Sequence, residues 1–178
     1  QMLYIHWPFC KHKCHYCDFV AFEGHQGFER SYHEALCNEI RRFAAQSDCT
    51  QPIRTIFIGG GTPSLYPLAM LEELFVLLRS VFDLSQCVEI SLEVNPGGQT
   101  SEHFETWRRV GINRLSVGVQ VLDTAVLRRL NRHQTTEEVT EFFALAANYF
   151  TNLSADMIIG LPGVDAPRWH TSINTMLS

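Results

Sequence analysis

Three cysteines, Cys10, Cys14 and Cys17, stand in the run HWPFCKHKCHYCDF, directly after the strand-like stretch Leu3-Tyr4-Ile5-His6-Trp7. Three thiolates so close in sequence can wrap one cluster, yet they supply one ligand fewer than the four cysteines that fully enclose a 4Fe-4S cube. One iron is then left open, and an open metal position is where a small molecule binds and reacts. Two other chemistries compete for the same residues. Zinc could recruit His12 or His15 as a fourth ligand, although zinc sites more often pair CxxC with a distant second pair. A disulfide would leave one thiol over and would suit a secreted chain. Cys37, Cys49 and Cys87 are scattered singly and read as small packing residues or surface thiols.

The 178 residues are 46% hydrophobic and 19% charged, enough for one domain with a sizeable core. A net charge of -5 leaves no basic field for a polyanion, so nucleic acid is not an expected partner. The longest apolar runs, such as Leu74 to Leu78, are far too short for a transmembrane segment, and the N-terminus lacks the regions of a signal peptide. Six cysteines without an export signal predict a reducing, cytoplasmic setting.

Along the chain, apolar runs alternate with helical periodicity. Leu3 to Trp7 reads as a first strand, and Tyr32, Leu36, Ile40 and Phe43 recur at helical spacing. Ile53 to Ile58 reads as a second strand ended by three glycines. Leu71, Leu74, Phe75 and Leu78 mark a helix ending near Phe82, and Val88 to Val94 a third strand broken by Asn95-Pro96-Gly97-Gly98. Thr100 or Ser101 can cap a helix that Gly111 ends, followed by a strand from Ile112 to Val119. Asp123 caps a short helix, and Thr135 with Glu138 has capping-box spacing for another, carrying Val139, Phe142, Phe143 and Ala146 on one face. Leu153 to Ile159 is a fifth strand. Strands separated by helices predict an α/β fold with parallel, right-handed crossovers, and both a curved barrel and an open doubly wound sheet fit.

The unusual residues fall at strand ends. The cysteines follow strand one, Gly59-Gly60-Gly61-Thr62-Pro63 follows strand two, Glu93 ends strand three, Gln120 follows strand four and Asp156 sits in strand five. Carboxyl ends of parallel strands gather ligands, so these residues can share a pocket. Three consecutive glycines exceed what one tight turn needs, which suggests close approach of backbone to a ligand; the absence of a following Lys-Ser or Lys-Thr excludes a phosphate loop. Glu93 and Asp156 are acceptors for hydroxyls or amines, although strand-end carboxylates are often plain surface charges. Arg132 lies after a helix, where a solvated charge is the default, while its fork would suit a carboxylate.

The spacing CxxxCxxC with Tyr16 before the third cysteine resembles the cluster loop of the radical S-adenosylmethionine superfamily. The segments LYIHWPFCKHKCHYCDF, TIFIGGGTPSLY, ISLEVNPG, GINRLSVGVQVLD, RRLNRHQ and ADMIIGLPG, in this order, resemble its oxygen-independent coproporphyrinogen III oxidase family, which holds both oxidases and heme chaperones. The resemblance implies an incomplete parallel (β/α)6 barrel, with Cys10, Cys14 and Cys17 as ligands of a 4Fe-4S cluster and S-adenosyl-L-methionine on its open iron. Tyr4 and Tyr16 would flank that cofactor, Gly60, Gly61 and Thr62 would contact its methionine part, and Glu93 would accept from ribose hydroxyls. Gln120, Arg132 and Asp156 would complete the shell. Trp7 departs from the aliphatic residue common in the family.

The family's oxidases carry a further cysteine two residues after the third ligand and a long N-terminal extension. Here that position is Phe19, and the motif begins almost at the first residue, which favours the heme-chaperone branch. Residues 1–178 would then be a core domain of about five βα units, with a sixth strand and a C-terminal domain expected beyond them. The implied partners are heme or a porphyrinogen, a hemoprotein acceptor and an electron donor.

Overall fold

The computed structural model describes residues 1–46 and 51–177; Cys49 lies outside the described residues. Strand β1 (Met2–Trp7) leads into a short β2 (Phe9–Cys10) and, after the cysteine loop, β3 (Phe22–Glu23). There follow α1 (Glu29–Gln46), β4 (Thr55–Gly60), α2 (Leu68–Val81), β5 (Glu89–Val94), α3 (Ser101–Val110) and β6 (Arg114–Gln120). Helices α4 (Thr124–Arg129) and α5 (Thr136–Ala146), strand β7 (Leu153–Met157) and helix α6 (Ala166–Leu177) complete the order.

The main sheet is parallel throughout, in the order β1-β4-β5-β6-β7. A doubly wound sheet reverses direction at a switch point, whereas a sheet whose spatial order follows chain order winds one way, as a barrel does. The strand order therefore resolves the ambiguity in favour of a barrel arc, left open because β1 and β7 are its edges.

Each strand carries two chemistries. Ile5, Trp7, Ile56, Ile58, Leu92, Val94, Leu115 and Val117 are buried beneath the helices, where α2 contributes Leu71, Leu74, Phe75 and Leu78 and α3 contributes Phe104, Trp107 and Val110. The alternate positions, which point to the other face, are Tyr4, His6, Glu93, Ser116 and Asp156. A sheet covered on both faces by hydrocarbon would read as continuous apolar runs. Here the inner face is polar, and it is the face that holds the site.

The helix signals act as expected. Asp123 accepts from the amides of Ala125 and Val126, both at 3.0 Å, and Thr135 and Glu138 exchange side-chain-to-amide bonds of 2.7 and 3.2 Å. Thr100, rather than Ser101, is the cap of α3. Trp7 is completely buried, stacked on Tyr66 with centroids 3.8 Å apart, and its indole nitrogen has no hydrogen-bond partner among the described residues. Stacking area thus holds a polar atom in the core. Cys37 is buried in the same core and Cys87 is half-buried, as their isolated spacing implied.

Strand bounds shift by up to two residues from the sequence reading, and two of the shifts bear on the site. Strand β4 does not stop at Ile58: pairing with β1 continues to Trp7 opposite Gly60, so two of the three glycines are strand residues. The fifth strand ends at Met157 rather than Ile159: after a bulge between Gly118 and Gln120 the pairing resumes with Met157 opposite Gln120, where its partner β6 ends.

The glycines also explain themselves without a ligand. A Cβ on Gly60 would lie 2.7 Å from the Trp7 carbonyl, at a φ of +123°, and one on Gly61 would lie 2.7 Å from the Pro8 carbonyl and 2.9 Å from Cys10 Sγ. The surplus of glycine lets β1, β4 and the first cysteine close together, and Gly60 and Gly61 still face the cavity described below. Gly60→Ala is accordingly expected to lower stability by about 1–3 kcal/mol or more, whereas Gly27→Ala, with nothing within 4 Å and no positive φ, leaves it within about 0.5 kcal/mol. Chemical denaturation of both variants measures the contrast.

Candidate metal and cofactor site

Cys10 closes β2, while Cys14 and Cys17 lie in the loop that β2 and β3 clamp at its base. Phe9 pairs with Phe22 and Cys10 with Glu23, and the Phe22 amide donates to the Pro8 carbonyl at 2.8 Å. The loop's far side is tied to the turn after α4: the His15 amide donates to the Leu130 carbonyl at 3.0 Å, and Asn131 Nδ2 donates to the Lys13 carbonyl at 3.0 Å.

Arg132 completes the attachment. The sequence default for this residue is a solvated charge, but the structure buries it to 6% exposure. Its Nη1 donates to Tyr16 Oη at 3.2 Å and toward Cys14 Sγ at 3.7 Å, and its Nη2 donates to Asn95 Oδ1 at 3.0 Å and to the Gly118 carbonyl. Its Nε has no hydrogen-bond partner among the described residues. A second chain of bonds holds the first cysteine: Asn95 Nδ2 donates to Thr62 Oγ1 at 3.2 Å, and Thr62 Oγ1 donates to Cys10 Sγ at 3.3 Å.

These residues enclose a cavity of about 380 Å³. Cys10, Cys14, Cys17, Tyr16 and Arg132 line it on the loop side, Gly60, Gly61 and Thr62 at the end of β4, and Glu93, Gln120 and Asp156 at the ends of β5, β6 and β7. Every expected site residue except Tyr4 therefore converges. Tyr4 stands outside the cavity: its hydroxyl bonds His6 Nδ1 at 2.9 Å and its ring stacks against Phe57. Gln120 reaches the cavity through backbone geometry that sequence could not disclose, the bulge on β6 and a φ of 70°. Asn95 and Ser116 also belong to the site. Asn95 was legible only as part of a strand-breaking run, and Ser116, which donates to Asp156 Oδ2 at 3.0 Å, as an ordinary alternating strand residue.

The electrostatics follow from burial. Burial pushes the Glu93 carboxyl above its ordinary range, opposed by the Gly60 amide that donates to it at 3.0 Å and reinforced by the negative charge of Asp156. Burial also raises the Tyr16 hydroxyl, against the pull of Arg132, so the phenol is neutral and can both accept and donate. Burial raises the Cys10 thiol, with the Thr62 hydroxyl opposing. A metal centre bound there must displace its proton.

The donor set suits a cluster better than a single ion. Nδ1 of His15 meets the Arg129 carbonyl at 3.0 Å and Nδ1 of His12 faces Glu23 at 3.4 Å, which orients both rings without consuming Nε2, so the arrangement of the thiols decides. Among the described residues no three Cys, His, Asp or Glu side chains converge as one zinc ion requires. The thiols of a cluster each bind a different iron, so they surround a volume rather than meet at a point. No disulfide joins Cys10, Cys14 and Cys17 among the described residues.

The family model for the radical SAM superfamily matches residues 4–174. The chain is 37% identical to the heme chaperone HemW of Synechocystis sp. over 98% of its own length and 43% of that protein's. It is 36% identical to the heme chaperone HemW of Escherichia coli, over 90% of this chain and 43% of that one. Among solved structures it matches coproporphyrinogen III oxidase from Escherichia coli with a TM-score of 0.90 and 31% identity, covering 98% of this chain and 41% of that one. The chain thus spans less than half the length of these relatives. A cysteine triplet at the mouth of a one-way parallel sheet, with the strand-end polar residues facing it, agrees with a family match over nearly the whole chain: the chain belongs to the radical SAM superfamily.

Proposed function

We propose that this chain is the cofactor-binding core of a heme chaperone. In this reading Cys10, Cys14 and Cys17 hold a 4Fe-4S cluster and S-adenosyl-L-methionine occupies the adjoining cavity. Gly60, Gly61 and Thr62 border its methionine part, Glu93 accepts from its ribose hydroxyls, and Gln120, Arg132 and Asp156 complete the shell. Tyr16 flanks it directly, and Tyr4 acts only through the sheet face it shares with Glu93. Bound together, the two cofactors supply one-electron reduction of a sulfonium. The protein's own share is positional: Arg132 and the Thr62–Asn95 pair orient two sulfur ligands, and the polar strand ends offer acceptors in a site partly screened from water.

The observation that carries the chaperone reading is Phe19. It is 62% exposed and lines the cavity where the family's oxidases carry a further cysteine. The names of the curated relatives support the same reading, heme chaperone in both bacterial cases. The rest of the protein would supply a sixth strand, a C-terminal domain and the contact with a hemoprotein acceptor and an electron donor. No helix among the described residues is long and apolar enough to cross a membrane, and a cytoplasmic setting accords with a cluster held by reduced cysteines. The alternative is radical oxidative decarboxylation of coproporphyrinogen III, favoured by the structural match to the oxidase.

The deciding experiment uses full-length protein reconstituted anaerobically with iron and sulfide. Added heme is expected to change the absorbance spectrum, while coproporphyrinogen III with S-adenosylmethionine and reductant stays unconsumed. Decarboxylated product formed together with 5'-deoxyadenosine would establish the oxidase instead. Replacing Cys10, Cys14 or Cys17 by Ala is expected to abolish the cluster, read as loss of bound iron and sulfide and of its visible absorbance.

Glu93 gives a test with opposite signs for stability and binding. Its carboxyl is raised in the fold, so the native state keeps the proton to higher pH than the unfolded chain does, and the residue costs stability as pH rises past the ordinary glutamate range. Glu93→Gln is expected to raise the melting temperature at neutral pH, with the gain disappearing in acid, and to weaken S-adenosylmethionine binding about tenfold or more. Thermal melts at two pH values and a calorimetric titration check both signs.

A further inference from the structure

The chain is acidic, with 14 Lys and Arg against 19 Asp and Glu, yet its cations are not spread evenly. Lys11 and Lys13 are the only two lysines of the 178 residues, and with His12 they fill the interval between Cys10 and Cys14. The end of α4 and the turn after it add Arg128, Arg129 and Arg132. Residues 11–15 and 128–133 together hold five of the 14 cations and none of the 19 carboxylates. The fold joins these two stretches into one surface. Besides the backbone ties from His15 and Asn131, the His15 ring meets the Arg129 carbonyl at 3.0 Å, and the His12 and His133 rings lie with centroids 4.1 Å apart.

Lys11, Lys13, Arg128 and Arg129 are all exposed. Among the described residues none of the four forms an ion pair, whereas Arg30, Arg109, Arg114 and Arg168 each lie against a carboxylate. The carboxylates bordering the surface are largely engaged: Glu23 accepts from the Lys13 amide at 3.0 Å and faces His12, and Glu138 accepts from the Thr135 amide at 2.7 Å, which leaves Asp18. A patch of one sign on a chain of the opposite net charge steers a complementary partner into one orientation. What lies beneath the patch selects that partner. Cys14 borders both the cofactor cavity, which Lys13 and Arg132 line, and a second hollow of about 340 Å³ lined by Lys11, His12 and His133. Cys14 and Cys17 are only half-buried, so the loop alone separates the cluster position from this face. Reduction of a sulfonium takes one electron, which has to reach the cluster from outside the site. A nucleic acid or an anionic membrane would use the charge of the patch but not its place over the thiols.

We propose that this basic face docks a small acidic protein carrying a low-potential one-electron centre. The inference rests on the cluster reading above and adds the place and the charge of the donor. In the complex the donor's centre is oxidised by one electron and the 4Fe-4S cluster is reduced from the 2+ to the 1+ state, with no covalent bond formed or broken. The test uses full-length, cluster-loaded protein, flavodoxin and ferredoxin as acidic donors, and photoreduced deazaflavin as a small reductant that needs no docking surface. Titration with the oxidised donors reads affinity, and stopped-flow bleaching of the cluster absorbance reads reduction. Lys11→Glu combined with Arg128→Glu is expected to weaken donor binding and slow donor-driven reduction by about tenfold or more. Raised salt should act on wild type in the same direction, and deazaflavin should reduce both proteins alike. Carbodiimide coupling of wild type to a donor should join the donor's carboxylates to Lys11 or Lys13. Donor affinity and reduction rate unchanged in the double variant, no binding of either donor to wild type, or cross-links confined to lysines beyond residue 178 would each overturn the proposal while leaving the cluster in place. Unchanged donor kinetics with lost sedimentation on phosphatidylglycerol vesicles would overturn it in favour of a membrane contact. A protein in which deazaflavin finds no reducible cluster would overturn the cluster reading as well.

Discussion

The attachment of the cysteine loop to the sheet through one buried guanidinium is the constraint on which the site depends. Arg132 touches three separate parts of the chain at once: Tyr16 and Cys14 in the loop, Asn95 after β5, and the Gly118 carbonyl in β6. Bonds from a charged donor contribute about 1.5–3 kcal/mol each when the alternative is a buried orphan. A buried cation also needs compensating charge, yet among the described residues Arg132 forms no ion pair with a carboxylate. What surrounds it is a set of thiols and a polar cavity. Thiolates on a cluster and an anionic group in the cavity are the counter-charges such a geometry calls for.

The glycines and the aromatics serve the same end from the opposite side. Trp7 fills the core below the first cysteine by stacking on Tyr66, while Gly60 and Gly61 leave room for the Trp7 and Pro8 carbonyls and for Cys10 Sγ. The Gly61 amide donates to the Trp7 carbonyl at 2.8 Å and the Thr62 amide to the Phe9 carbonyl at 3.0 Å, so the strand end and the loop share one ladder. Thr62 then reaches Cys10 directly. Position, burial and donor of the first thiol are thus set by the backbone of β4, and the two faces of the β2–β3 pair separate a polar cofactor cavity from an apolar groove.

Much of this was legible in the residues. Capping by Asp123 and Thr135, the helical stripes of α2 and α5, and the placement of polar residues at strand ends follow from local rules that tertiary packing did not override. The places where the structure adds to the sequence reading share a cause. Arg132 looked solvated because helix-end arginines usually are, and Tyr4 joined the expected shell although it lies at the exposed edge of the sheet. Gly60 and Gly61 looked like a ligand-binding surplus, yet their Cβ positions are blocked by protein atoms far away in sequence. In each case the deciding neighbour comes from another segment of the chain.

By itself the sequence determined the parallel α/β class, the three-thiol donor set, and the identity of nearly all residues at the strand ends, because strand period, capping and cysteine spacing are local properties. Only the tertiary structure decided that the sheet winds one way as an open arc, that Arg132 is buried against the cysteine loop, that a bulge turns Gln120 inward, and that the basic residues of the loop and of the turn after α4 share one surface. These depend on which distant segments meet, and strand order, register and close contact are set by packing between elements rather than within them.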